Sequence, residues 1–195
     1  MPEPLEIVTN RLRLRPWRDA DHAPFAAMNA DAEVMAHYPA PLARAASDAM
    51  VERIGAHFAR HGFGLWAVEA PGVAEFLGYV SLLVPSVPFR FASAQQPPVE
   101  VGWRLGRAHW GQGYATEAAR AALDVGFGRF GLAEVVSFTV PANHRSRAVM
   151  ERLGMRRAPA DDFDHPALPE GHALRRHVLY RLPRRAWRER HDAAR

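Results

Sequence analysis

Cysteine is absent from the 195 residues, which removes disulfides, thiolate-ligated metals and any covalent mechanism through a protein thiol. Lysine is absent too, since all 25 residues counted as Lys or Arg are arginine. A P-loop, which needs a lysine followed by Ser or Thr after its second glycine, is thereby excluded. No apolar run reaches the length of a membrane span. The opening MPEPLEIVTNRLRLRP carries acids and arginines where a secretory leader needs its apolar segment. The expectation is a cytoplasmic protein with no membrane partner. A lysine-free, alanine-rich composition points to a GC-rich bacterial genome. No internal repeat or low-complexity linker divides the chain, so residues 1–195 read as a single domain, and 48% apolar residues suffice for a substantial core.

The pattern that is present alternates between strand and helix. RLRLRPW (residues 11–17) alternates as a half-buried strand, and Asp19 is placed to cap the helix that follows. A second helix is predicted over residues 46–60. FGLWAVEA and EFLGYVSLLV, separated by PGVA, predict a hairpin, and SVPFRFASAQQPP predicts a loop. VEVGWRLG then reads as a strand, YATEAARAALDVGF as a helix, EVVSFTV as a strand, SRAVMERLG as a helix ended by Gly154, and HALRRHVLYRL as a final strand. That order predicts a mixed α/β, or α+β, sheet with helices packed on it. The net charge of +4 admits a nucleic-acid partner. The arginines are scattered, however, and their one concentration, RRHVLYRLPRRAWRER, has no accompanying aromatic-basic motif, so a solvated surface is the simpler reading.

The two glycines of HWGQGYATEA stand between a strand and a helix. Glycine inside a helix costs about 0.5–1 kcal/mol relative to alanine. At a helix start the same residues let several main-chain N–H groups converge where the helix already has four unpaired donors and a partial positive charge. Such a place suits phosphate, and charge-assisted hydrogen bonds of about 1.5–3 kcal/mol each outweigh the glycine cost. An ordinary tight turn with no ligand is the alternative. The dinucleotide fingerprint does not fit, because it needs three glycines at fixed spacing.

WGQGYATEA (residues 110–118) resembles the pyrophosphate loop of the general N-acetyltransferase (GNAT) superfamily, in the form found in the Rim-type branch of ribosomal-protein N-terminal acetyltransferases. VEVGWRL resembles the strand before that loop, and VPANHRSRAVMERLGM the Asn-x-x-Ser segment and its helix. RLRLRPW and the closing HVLYRL…W extend the resemblance over most of the chain. It implies a strongly twisted, mostly antiparallel mixed sheet with splayed central strands, helices on both faces, and the pantetheine arm of coenzyme A in the gap. It also implies an N-acyltransferase moving acetyl from acetyl-CoA to a primary amine in a ternary complex without metal. Succinyl-CoA as donor and a non-catalytic CoA sensor are the alternatives.

The residues that the resemblance implies for the cofactor are Val101, Trp103, Trp110, Gly111, Gln112, Gly113, Tyr114, Ala115, Asn143 and Arg147. Asn143 also suits a helix N-cap. Ser146 matches the group that stabilises the leaving thiolate, although a plain first-turn role is open. Met150 stands where many members have a tyrosine, which shifts the acid role to Ser146, another tyrosine or water. Glu100, between two valines of a strand, faces away from them and is the candidate base for the amine, or else a solvent-facing residue. Arg90 or Arg104 would serve a succinyl carboxylate. His165, His172 and His177 match no metal spacing and read as exposed or substrate-contacting. Acceptor specificity is expected in the first two helices and in residues 84–98 and 159–173. The paired strands and apolar tail suggest a homodimer.

Overall fold

A computed structural model describes residues 5–85, 89 and 98–192. The expected loop before the VEVGWRLG strand falls mostly outside these residues, as does Arg90. Two compact units emerge, Met1–Leu83 with Gly102–Ala122, and Val84–Val101 with Leu123–Arg195. One strand and one helix of the chain run through the boundary.

In the first unit, β1 (Ile7–Val8), β2 (Arg13–Arg15), β3 (Leu65–Ala70) and β4 (Ala74–Leu83) pair in that order, each antiparallel to the next. The predicted hairpin is β3–β4, and five of the six β3 residues are buried. β5 (Glu100–Leu105) follows β4 in the sheet. A side chain at Gly78, whose φ is +138°, would collide with the main-chain oxygen of Arg104, so glycine is required where these two backbones close. Helices α1 (His22–Ala30) and α2 (Arg44–His61) match the expected pair. Trp17 meets Phe25 edge-on at 4.8 Å, and Phe25 continues to Phe76 and Tyr79.

The expected cap at Asp19 is corrected. Residues Asp19–Asp21 form a 3₁₀ turn, Asp19 is exposed, and the buried Asp21 carboxylate accepts from the Arg18 main-chain N–H at 2.8 Å. Asp21 stands at the start of α1 but gives that helix no side-chain cap, because its carboxylate also binds the Arg15 guanidinium through both oxygens, at 2.7 and 2.8 Å.

In the second unit the start of β5 pairs parallel with β6 (Glu134–Thr139), at Glu100 opposite Val136. β6 pairs antiparallel with β9 (Arg176–Pro183), which also takes β7 (Arg156–Arg157) and β8 (Phe163–Asp164). Phe89, Val136, Phe163 and Leu179 form a buried cluster with Phe138 against it. α4 (His144–Arg152) ends where Gly154 turns with φ +83°, as expected. The arginine-rich tail, read from sequence as solvated surface, forms α5 (Arg184–Asp192), whose Trp187 is buried beside Phe127 at 5.8 Å and donates to Asp124 at 3.1 Å. Its arginine 185 is exposed, while one apolar ring holds the helix down. The architecture is the mixed, mostly antiparallel α/β fold expected. No helix among the described residues is long and apolar enough to cross a membrane.

Candidate functional site

The glycine turn lies in the first unit and enters α3 (Tyr114–Gly128) directly. Gly111 has φ +74° and Gly113 φ +83°, conformations that side chains strain to adopt. Among the described residues, the main-chain N–H groups of Gly111, Gln112, Gly113, Tyr114 and Ala115 donate to no protein acceptor. Residues 111–113 are exposed. Here are five donors at the positive end of a 15-residue helix, with nothing of the protein's own to satisfy them.

Side chains around the turn act as scaffolding. Trp110 Nε1 donates to the Leu105 carbonyl at 2.8 Å, and Gln112 Nε2 to that of Ala108 at 3.0 Å. Tyr114 is buried, so it offers a ligand only its main chain. Sequence reasoning missed the residues that fix the turn from outside. Arg11 donates to the Gln112 carbonyl at 3.0 Å, lies over the Tyr114 ring at 4.8 Å and pairs with Glu117 at 2.6 Å. Thr9 also donates to Glu117, at 2.6 Å. Although burial opposes its charge, these bonds from Thr9 and Arg11 hold the Glu117 carboxyl below its ordinary range. Nothing in RLRLRPW marks Arg11 for this work, because its partners stand about a hundred positions away.

Trp103 also belongs to the first unit and is half-buried. The next residue is Arg104, buried to 8% exposure. Its Nη1 donates to Asn29 at 2.6 Å, and its guanidinium lies over Tyr38 at 4.0 Å and near Tyr79 at 5.5 Å. Burial disfavours its charge, while the neighbouring Tyr79 and Tyr38 favour it.

The other candidates belong to the second unit. Val101 is wholly buried, so only its main chain is available to a ligand. Glu100 has its carboxyl pushed up to about 8 by desolvation, in the range where a general base serves best. Asn143 is the N-cap of α4. Its Oδ1 accepts from the Ser146 N–H at 3.2 Å, and its Nδ2 donates to Thr139 at 3.0 Å. The Ser146 hydroxyl has no partner among the described residues. Arg147 donates to Tyr180 at 3.3 Å and to the Pro141 carbonyl at 3.0 Å, and Tyr180 donates to Glu151 at 2.9 Å. Met150 is buried, a core residue.

The histidines sort differently from one another. His165 and His177 stand 5.1 Å apart, half-buried among Phe89, Phe138 and Phe163, and burial lowers both below the ordinary imidazole value. His172 lies apart from this group and accepts from the Leu174 N–H at 3.1 Å. Among the described residues no group of three or more His, Asp or Glu is placed to hold a metal ion.

Residues 11–156 match the model of the acetyltransferase (GNAT) domain family. The uncharacterized protein YkkB of Bacillus subtilis is 32% identical over 151 residues, covering 77% of this chain and 84% of that one. The FsC-acetyl coenzyme A-N(2)-transacetylase of Aspergillus fumigatus is 35% identical over 130 residues, 65% of this chain and 52% of that protein. Mycobacterium smegmatis RimJ, solved in complex with CoA-disulfide, shares the fold with a TM-score of 0.73 at 22% identity, covering 98% of this chain and 96% of its own.

Proposed function

Because this chain belongs to the acetyltransferase (GNAT) family and is an acyl-CoA-dependent N-acetyltransferase, we propose that it passes acetyl directly to a primary amine in a ternary complex. The amine is a protein N-terminal α-amine or that of a small molecule. The observation that carries this reading is the row of five unpaired main-chain donors from Gly111 to Ala115, opened by two glycines with positive φ. A diphosphate presents anionic oxygens that such a row satisfies. A Cβ at Gly113 would stand 3.3 Å from Arg11 Nη2, besides straining the backbone. The residues present therefore fit coenzyme A.

When bound, acetyl-CoA supplies a thioester, an acyl group already activated toward nitrogen. Gly111 to Ala115 hold the diphosphate by their main chain, and Asn143 and Arg147 contribute to the rest of the coenzyme while capping and bracing α4. Glu100 accepts the proton that the amine sheds as the C–N bond forms. Ser146, with its hydroxyl uncommitted, hydrogen-bonds the sulfur as the C–S bond breaks. An α-amine titrates near 7.7–8.0 and a lysine near 10.4, so deprotonation at pH 7 costs about 1 and nearly 5 kcal/mol respectively. A carboxylate raised to about 8 is matched to the α-amine. The transacetylase relative, which by its name acts at a nitrogen, supports an amine acceptor.

Calorimetry with acetyl-CoA, followed by thiol release over a library of N-terminal peptides, free amino acids, polyamines and lysine peptides, tests the proposal. Binding together with turnover on α-amines is expected. Binding with no turnover on any amine marks a CoA sensor instead. Absence of affinity for CoA in any form overturns the assignment.

A further inference from the structure

Two arginines of the first unit are more than nine-tenths buried, Arg15 at 1% and Arg104 at 8% exposure. Arg15 has every need met. Asp21 holds it through two oxygens, Glu69 accepts from Nε at 2.7 Å, and the carbonyls of Pro16 and Glu75 take the rest. Two carboxylates face the one cation, and Glu69 also pairs with Arg13 and Arg18. Among the described residues no carboxylate lies within ion-pair distance of Arg104, and its Nε is buried with no acceptor. Its compensation is one amide oxygen and two tyrosines.

Cation–π contact recovers only a part of what it costs to take an ion out of water. The two do not balance, yet the protein builds carefully around the guanidinium. Asn29 is wholly buried and is itself oriented by Ser47 of α2, to which its Nδ2 donates at 3.0 Å. Elements α1, α2 and β5 thus fix the fork, and Gly78 lets β4 approach its backbone. Tyr38, on the segment between α1 and α2, covers the cation and is itself 37% exposed. Of the two rings against the guanidinium, Tyr38 is the one that borders solvent.

We propose that Arg104 is a carboxylate receptor, and that the missing anion arrives with a substrate. A guanidinium fork pairs with a carboxylate through two parallel hydrogen bonds, and Nε is the donor still free to make one. The inference rests on the acyltransferase reading and deepens it. Two sources carry the same chemistry, the carboxylate of an amino-acid-type acceptor and the distal carboxylate of a succinyl donor.

The experiment compares matched pairs. Free amino acids are run against their carboxamides with acetyl-CoA as donor, and succinyl-CoA against butyryl-CoA with one accepted amine. The readout is the ratio of kcat/KM within each pair, for the wild type, Arg104→Met and Arg104→Lys. The wild type should favour the charged member of one pair by at least about tenfold, and the favoured pair identifies the source. Arg104→Met should bring that ratio close to one, and Arg104→Lys should leave part of it. Arg104→Met should also melt at a higher temperature than the wild type, which a merely structural arginine would not do. A wild type indifferent to charge in both pairs overturns the proposal, as does a ratio that survives in Arg104→Met. If no amine releases thiol from any acyl-CoA, the acyltransferase reading fails first. Melting curves then judge Arg104 independently, since a lowered melting temperature for Arg104→Met assigns it a structural role.

Discussion

Arg15 and Arg104 are the same residue type in the same unit, both removed from water, and their surroundings could hardly differ more. Around Arg15 each donor has an acceptor, and two carboxylates face its charge. Around Arg104 a donor is idle and the charge stands alone. The contrast recurs elsewhere. The amide of Asn143 is used on both sides, whereas the donors of Gly111 to Ala115, the Ser146 hydroxyl and the raised Glu100 carboxyl await partners. Completed polar groups hold the fold together; the incomplete ones are those to which we assign a ligand. Each substitution below breaks or sharpens that division.

The largest effect belongs to the completed network. Arg15→Met strands Asp21 and Glu69 and should cost about 3–5 kcal/mol in denaturant unfolding, whereas Arg104→Met should stabilise by about 1–4 kcal/mol. Equal losses at the two would erase the distinction. Glu100→Gln should lower kcat by roughly 10²–10⁴ and abolish a rate that climbs as pH rises through about 8. The sign for stability is opposite. The folded carboxyl keeps its proton between about 4.5 and 8 while the unfolded chain has released it, so folding stability falls as pH rises through that window. The glutamine variant should show no such fall, and its melting advantage over the wild type should grow from pH 5 to pH 8.

Gly113→Val forces a β-branched residue to φ +83°. Strain of about 1–3 kcal/mol should weaken CoA roughly 5- to 150-fold by calorimetry. Unchanged affinity would count against the loop. Smaller still, Asn143→Ala should cost about 1 kcal/mol of stability through the lost cap. Ser146→Ala, with no hydroxyl bond to lose, should leave the melting temperature where it is and lower kcat alone.

Much of this was legible in the chain. Glycine spacing before an alanine-rich helix gives the loop, alternation gives β2, and apolar runs parted by PGVA give β3 and β4, because those signals are local. The arginine-rich tail hid α5, since one Trp187 anchors nine residues of otherwise charged helix. Asp19 fits a capping pattern and yet stays exposed, because the carboxylate that the fold buries is that of Asp21, held by Arg15 from outside the pattern. Arg11 and the Arg104 cage were beyond reach for the same reason. Their meaning lies in partners such as Gln112, Glu117, Asn29 and Tyr38, which only folding brings near.

The clamp that Thr9 and Arg11 place on Glu117 and Gln112 means that the glycine turn is not a portable cassette. Transplanted to another scaffold without its distant strand corner, the same nine letters would keep their glycines and lose the shape that those glycines were chosen to permit.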